Sequence, residues 1–103
     1  METHRVDLEV EEINISEGKA AYIAERGIRP ADVFQVLWNT EVEPHFFERY
    51  NSEKDKLEYS MLGCVRSGRF LRVAIEHVDG AEWRLVTAFW MSSNRGERDY
   101  ESA

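Results

Sequence analysis

At 103 residues the chain is long enough for one hydrophobic core and too short for two, so a single domain, 1–103, is expected. Hydrophobic residues make up 43% of it, as in globular rather than disordered proteins, and no apolar run approaches the ~20 residues of a membrane-spanning helix. The net charge of −7 opposes nucleic-acid binding over the surface as a whole, and one cysteine, Cys64, excludes an internal disulfide framework. That cysteine usage, with an acidic N-terminus lacking a secretory apolar stretch, points to a reducing cytoplasm as the expected location.

Val6, Leu8 and Val10 alternate with Asp7 and Glu9 and predict a first strand over 6–10. Ile13 and Ile15 continue in the other register, so a bulge or break is expected at Glu11-Glu12. Ser16 suits an N-cap, and Glu17 complements the helix dipole after it. The spacing of Ala20, Ile23 and Ala24 predicts a helix over 19–26 with those three side chains inward, ended by Gly27. Pro30 and Asp32 open a second helix whose inner face is Val33, Val36 and Leu37, with Phe34 and Trp38 flanking. Asn39-Thr40 stops it.

The segment 41–50 reads as an edge strand, because Pro44 lacks a ladder donor, and 51–56 as a polar loop. From Tyr59 the chain reads as a hairpin. Its turn is Arg66-Ser67-Gly68-Arg69, with Gly68 supplying a positive φ, and Leu71, Val73 and Ile75 then alternate with Arg72, Ala74 and Glu76. Asp79-Gly80 makes the next turn. The segment 83–90 is the last strand, and its blurred alternation predicts a central strand covered on both faces. Asn94 and Glu97 suit a capping box for a C-terminal helix. The expected fold is α+β: an antiparallel sheet in the order β-α-α-β-β-β-β-α with helices packed on it.

The charge is unevenly spread. In the first 17 residues Glu2, Asp7, Glu9, Glu11, Glu12 and Glu17 stand against Arg5 alone, a balance of −5. Over 65–84, Arg66, Arg69, Arg72 and Arg84 stand against Glu76, Asp79 and Glu82, a balance of +1. The hairpin region is thus locally basic on an acidic protein.

Little standard chemistry fits. His4, His45 and His77 lie far apart without ligand spacing, so neither a metal nor a cofactor is expected. There is no Gly-rich phosphate loop and no nucleophile elbow, and Leu62-Gly63-Cys64-Val65 is a buried context for a thiol, not a reactive one.

The hairpin Leu62-Gly63, then Ser67-Gly68-Arg69-Phe70-Leu71, follows two short helices and precedes Trp83-Arg84-Leu85-Val86-Thr87-Ala88. In this order, over roughly 13–100, the chain resembles the BrnT-type toxins, small ribonucleases of bacterial toxin–antitoxin pairs in the RelE/ParE superfamily. The resemblance implies a RelE-like fold, an RNA substrate and an antitoxin-like partner. It implies metal-independent cleavage, in which a base frees the ribose 2′-hydroxyl and arginines hold the charge growing on the phosphate. The positions matching the family's site are Arg69, Arg84, Arg98 and Tyr100. Two positions depart from it. Glu58 stands where the family usually has arginine or lysine, and Phe89 where it usually has arginine after Thr87-Ala88.

Both departures remove positive charge. They set a second reading beside the ribonuclease: a non-catalytic interaction module on the same fold, a homodimer or a complex with an antitoxin-like protein, using aromatic surface near Trp38, Phe46, Phe47 and Trp90. A third is an unrelated α+β domain with a small ligand. His45 and His77 each remain open as a base or a plain strand residue. Arg84 is also placed to pair with Glu76 across the second turn.

Overall fold

A computed structural model describes residues 3–102, so Glu2 of the acidic segment lies outside the described residues. In chain order the elements are β1 (Thr3–Val6), β2 (Glu12–Asn14), α1 (Glu17–Ala24), α2 (Pro30–Leu37), β3 (His45–Asn51), β4 (Lys56–Cys64), β5 (Phe70–Asp79), β6 (Glu82–Trp90) and α3 (Ser93–Glu101). The six strands form one sheet in the order β1-β3-β4-β5-β6-β2. The α+β class and the antiparallel meander from β3 to β6 agree with the sequence reading. The radius of gyration, 13.0 Å, is that of a compact chain of this length.

The sheet is mixed, not antiparallel throughout. β1 pairs antiparallel with β3, but β2 runs parallel to β6, with Ile13 opposite Trp83. The cause lies in residues 7–11. The alternation of Val6, Leu8 and Val10 does not make one strand. The chain leaves β1 at one edge and crosses the helix side of the sheet, where Leu8 and Val10 pack on the core. The indole N–H of Trp83 holds the Glu9 carbonyl at 2.9 Å. The chain then arrives at the opposite edge already pointing along β6.

The helices form where their caps allow. Ser16 Oγ accepts from the Lys19 N–H at 3.2 Å, and Gly27, at φ +72°, lets the Ile28 N–H return to the Ile23 carbonyl. In α1 only Ile23 is fully buried. Ala20 is half-buried and Ala24 exposed, contrary to the expected stripe. Polar anchors complete the docking: Lys19 Nζ donates to the Val86 carbonyl and Arg26 to Thr87 Oγ1 and the Ala88 carbonyl. In α2, Pro30 opens the helix, and Asp32 accepts from the Arg29 N–H at 2.8 Å. Val33, Val36 and Leu37 are buried as expected.

The main core lies between α1, α2 and one sheet face, where Met61, Val73, Ile75, Leu85 and Ala88 meet the helix residues. A Cβ at Gly63 would come within 2.9 Å of Val36 Cγ1, so the absence of a side chain there lets α2 approach β4. A smaller cluster of Phe47, Leu62, Cys64, Phe70 and Met91 lies on the opposite face, beneath α3.

Three further expectations change. β3 is not an edge strand. It lies between β1 and β4, and Pro44 precedes it, so no ladder donor is lost. β6 is covered on one face only. A bulge at Val86, marked by the pairings Ala74↔Thr87 and Ile75↔Leu85, shifts its phase, so that Leu85 and Ala88 share a face, and this blurs the alternation. At α3 the N-cap is Ser92 without a side-chain bond, and Asn94 lies inside the helix, so the Asn94–Glu97 box does not form.

Candidate functional site

The pleat puts Arg5, Arg49, Glu58, Ser60, Arg72, Ala74, Glu76 and Arg84 on the face opposite the main core. α3 covers one end of that face, over Phe70 and Leu62. Beside it lies an open groove of about 640 Å³ reaching from Phe47 and Arg49 across Ser60 and Arg72 to Thr87 and Phe89.

Most cations on this face are already engaged. Arg49 donates to Glu58 at 2.9 Å, and Asn51 donates to the other oxygen at 3.2 Å. These bonds hold the Glu58 carboxyl below its ordinary pKa. Arg84 reaches Glu76 through Nε at 2.8 Å and Nη2 at 2.5 Å, with Lys56 Nζ 3.8 Å from the other oxygen. The Arg84–Glu76 pairing thus agrees with the sequence reading.

Arg72 differs. Its side chain is only 20% exposed, and its Nη1 donates to Ser60 Oγ at 3.0 Å. The nearest carboxylate oxygen paired with it, on Asp99, is 3.9 Å away. Its guanidinium lies 5.2 Å from the centre of the Phe47 ring. Burial lowers its pKa and Asp99 opposes that, but an arginine stays charged.

The four residues matched to the toxin family are spread apart. The Arg69 guanidinium lies 4.2 Å over the ring of Trp90, which packs against the main core on the helix side. Arg84 projects from the other face. Arg98 is exposed on α3, 3.7 Å from Asp99. Tyr100 faces inward, stacks on His45 with ring centres 3.8 Å apart, and donates to the Glu43 carbonyl at 2.5 Å. Arg84 and Tyr100 share a sheet face, and Arg69 does not join them. Tyr100 serves to fasten α3.

Of the other groups weighed, Cys64 is buried and burial pushes its thiol pKa up, which disfavours a thiolate. The His77 ring nitrogen meets the Gly80 carbonyl at 2.9 Å and its ring packs edge-on against Trp83. His45 lies under Tyr100. Among the described residues no group of three His, Cys, Asp or Glu side chains converges as a metal site would need.

The aromatic surface is also rearranged. Phe47 is 7% exposed and part of the core under α3, and Phe46 and Trp90 are half-buried. Trp38 is 62% exposed and stacks on Phe34 at 5.1 Å. Arg72 and Ser60 belong to no motif in the sequence that marks a site. The available signal was the polar phase of β5, which sets Arg72 opposite the buried Leu71 and Val73.

Among the described residues no helix is long and apolar enough to cross a membrane. No protein-family model matches the chain, and no curated protein matches it.

Proposed function

We propose that the chain is a BrnT-like, RelE-superfold toxin-family protein that works by protein association, with ribonuclease activity weak or lost. The supporting observation is the state of the open sheet face. Arg49 and Arg84 are hydrogen-bonded to Glu58 and Glu76, which leaves Arg72, held by the Ser60 hydroxyl, and Arg5 at the β1 edge, opposite Phe47, as the guanidinium groups of this face without a close carboxylate among the described residues. Phosphate cleavage needs several cations where charge grows, and a base beside them. Here carboxylates occupy Arg49, Arg84 and Lys56, Arg5 and Arg72 stand on different strands, and Glu58 and Phe89 stand at the two positions where the family is basic. The exposed Trp38, stacked on Phe34, is the aromatic surface for a partner: a second copy or an antitoxin-like protein.

Expression of the chain alone in bacteria should arrest growth little. Sedimentation at micromolar concentration, alone and with the neighbouring gene product, should show association that Trp38→Ala weakens. Strong arrest with cleavage of cellular RNA would overturn the reading. So would a monomer that binds no neighbour.

The ribonuclease reading keeps one specific support. Arg72 is half-buried, held by Ser60 and backed by Phe47, as a phosphate-holding arginine would be. Cleavage abolished by Arg72→Ala would favour it.

A further inference from the structure

We infer that the groove on the open sheet face binds a small organic ligand carrying one carboxylate and a flat apolar body. The carboxylate would meet Arg72, and the body would lie along Phe89 and Ala74. This does not rest on the toxin-family reading.

Size is the first support. The groove holds about 640 Å³, inside the range of about 300–1,000 Å³ common for small-molecule sites. The second is a prepared cation. Of the five N–H donors of Arg72, one is hydrogen-bonded, to the neutral hydroxyl of Ser60, and Asp99 stands off at 3.9 Å. Phe47 and Ser60 fix the guanidinium in place, so little ordering remains to be done when an anion arrives. A carboxylate matches the free edge of that planar fork.

The third support is the wall. Phe89 is directly opposite Arg72 across the β5–β6 ladder, which sets the two side chains side by side on one face. Phe89 is 40% exposed, with Val86 nearby at 37%. A flat apolar group laid there removes that surface from water.

The charge of the ligand follows from the rim. Glu58 and Glu76 line the same groove, and their cations are taken up by them. A dianionic phosphate held by Arg72 would face those carboxylates, with Asp99 behind the guanidinium, while the lysines of the rim, Lys54 and Lys56, stand at the β3–β4 turn end beside Glu58 and Glu76. A monocarboxylate needs only that guanidinium.

The test is a titration of the full chain with 1-naphthoate, followed by two-dimensional NMR, with 1-naphthyl phosphate and 1-naphthylmethanol as parallel arms. Naphthoate should shift the amides of Ser60, Arg72 and Phe89 with a dissociation constant of about 1 mM. Arg72→Gln should weaken it by about tenfold, and Phe89→Ala by about fivefold. The alcohol should bind about tenfold more weakly than the acid to the wild type. Should Arg72→Gln fail to fold, the alcohol arm and Phe89→Ala decide the matter, since the Phe89 ring is exposed. Absence of those shifts overturns the proposal, as does binding that Phe89→Ala leaves unchanged or an alcohol that binds like the acid. Tighter binding of the phosphate would overturn the single-charge assignment and point to a polyanion.

Discussion

Gly96 of α3 is packed so tightly on Phe70 of β5 that a Cβ at position 96 would lie 2.4 Å from the Phe70 Cβ. This contact sets the height of α3 over the sheet. Alanine is ordinarily the better helix former by about 1 kcal/mol, yet overpacking costs about 1–3 kcal/mol. A 2.4 Å approach puts the cost in the upper half of that range, so Gly96→Ala should lower stability by about 1–2 kcal/mol in denaturant unfolding and speed amide exchange in α3. A stabilised variant would mean that α3 shifts without loss.

Asn39 is a junction. Its side-chain amide donates to the Cys64 carbonyl at 3.1 Å, and its carbonyl oxygen accepts from the Glu41 and Val42 N–H groups. It joins the end of α2 to the end of β4. Asn39→Ala should cost about 1–2 kcal/mol, read as a lower denaturant midpoint with unchanged slope.

His45 is half-buried under Tyr100, and its Nδ1 is buried with no hydrogen-bond partner among the described residues. Burial, then the charge of Arg5, lowers its pKa below the ordinary value. The unfolded chain then binds this proton more readily than the folded one. The resulting stability is present above the unfolded pKa of about 6.5 and is lost as pH falls from there toward the folded value. Unfolding midpoints should drop between pH values of about 7 and 5.5, and His45→Phe, which keeps the stack, should drop less. An equal drop would remove the assignment to His45.

Glu58→Arg with Phe89→Arg places arginine at the two positions where the toxins that the sequence resembles are basic, and moves the net charge from −7 to −4. It also releases Arg49 from Glu58. The double variant should bind RNA more tightly at low salt, with a salt slope steeper by about 2. It should also arrest growth more than the wild type on expression. No gain in either measurement would count against the toxin-family reading of this face.

The parts of the fold that could be read from sequence are those with local causes. Gly68 does sit at positive φ in its turn, Asp79-Gly80 does make the next one, and Pro30 and Asp32 do open α2. The missed parts have distant causes. β2 has three residues, too few for a pattern, and its partner is β6. The bulge at Val86 breaks the period from which burial is read, and the carbonyl there is held by Lys19. In the site, Arg84 was placed with Glu76 from its position beside the turn. Arg72 carries no such local signal, because its setting comes from Ser60 and Phe47 on two other strands.

The N-terminal crossing sets an order of events in folding. Asn14 and Glu82, joined across the β2–β6 edge, are 68 positions apart. On a ribosome, residues 12–14 emerge long before their partners and have no ladder to join. The β3-to-β6 meander closes through short turns and can assemble first. The crossing segment can dock only once β6 is in place, because Trp83 of that strand receives Glu9 and β2 has no other partner strand among the described residues. Pairing over so long a separation makes folding slow relative to the chain's size. Until it happens, the Trp83 edge of the sheet stands open, and this is the stage at which a nascent chain is most exposed to pairing with another.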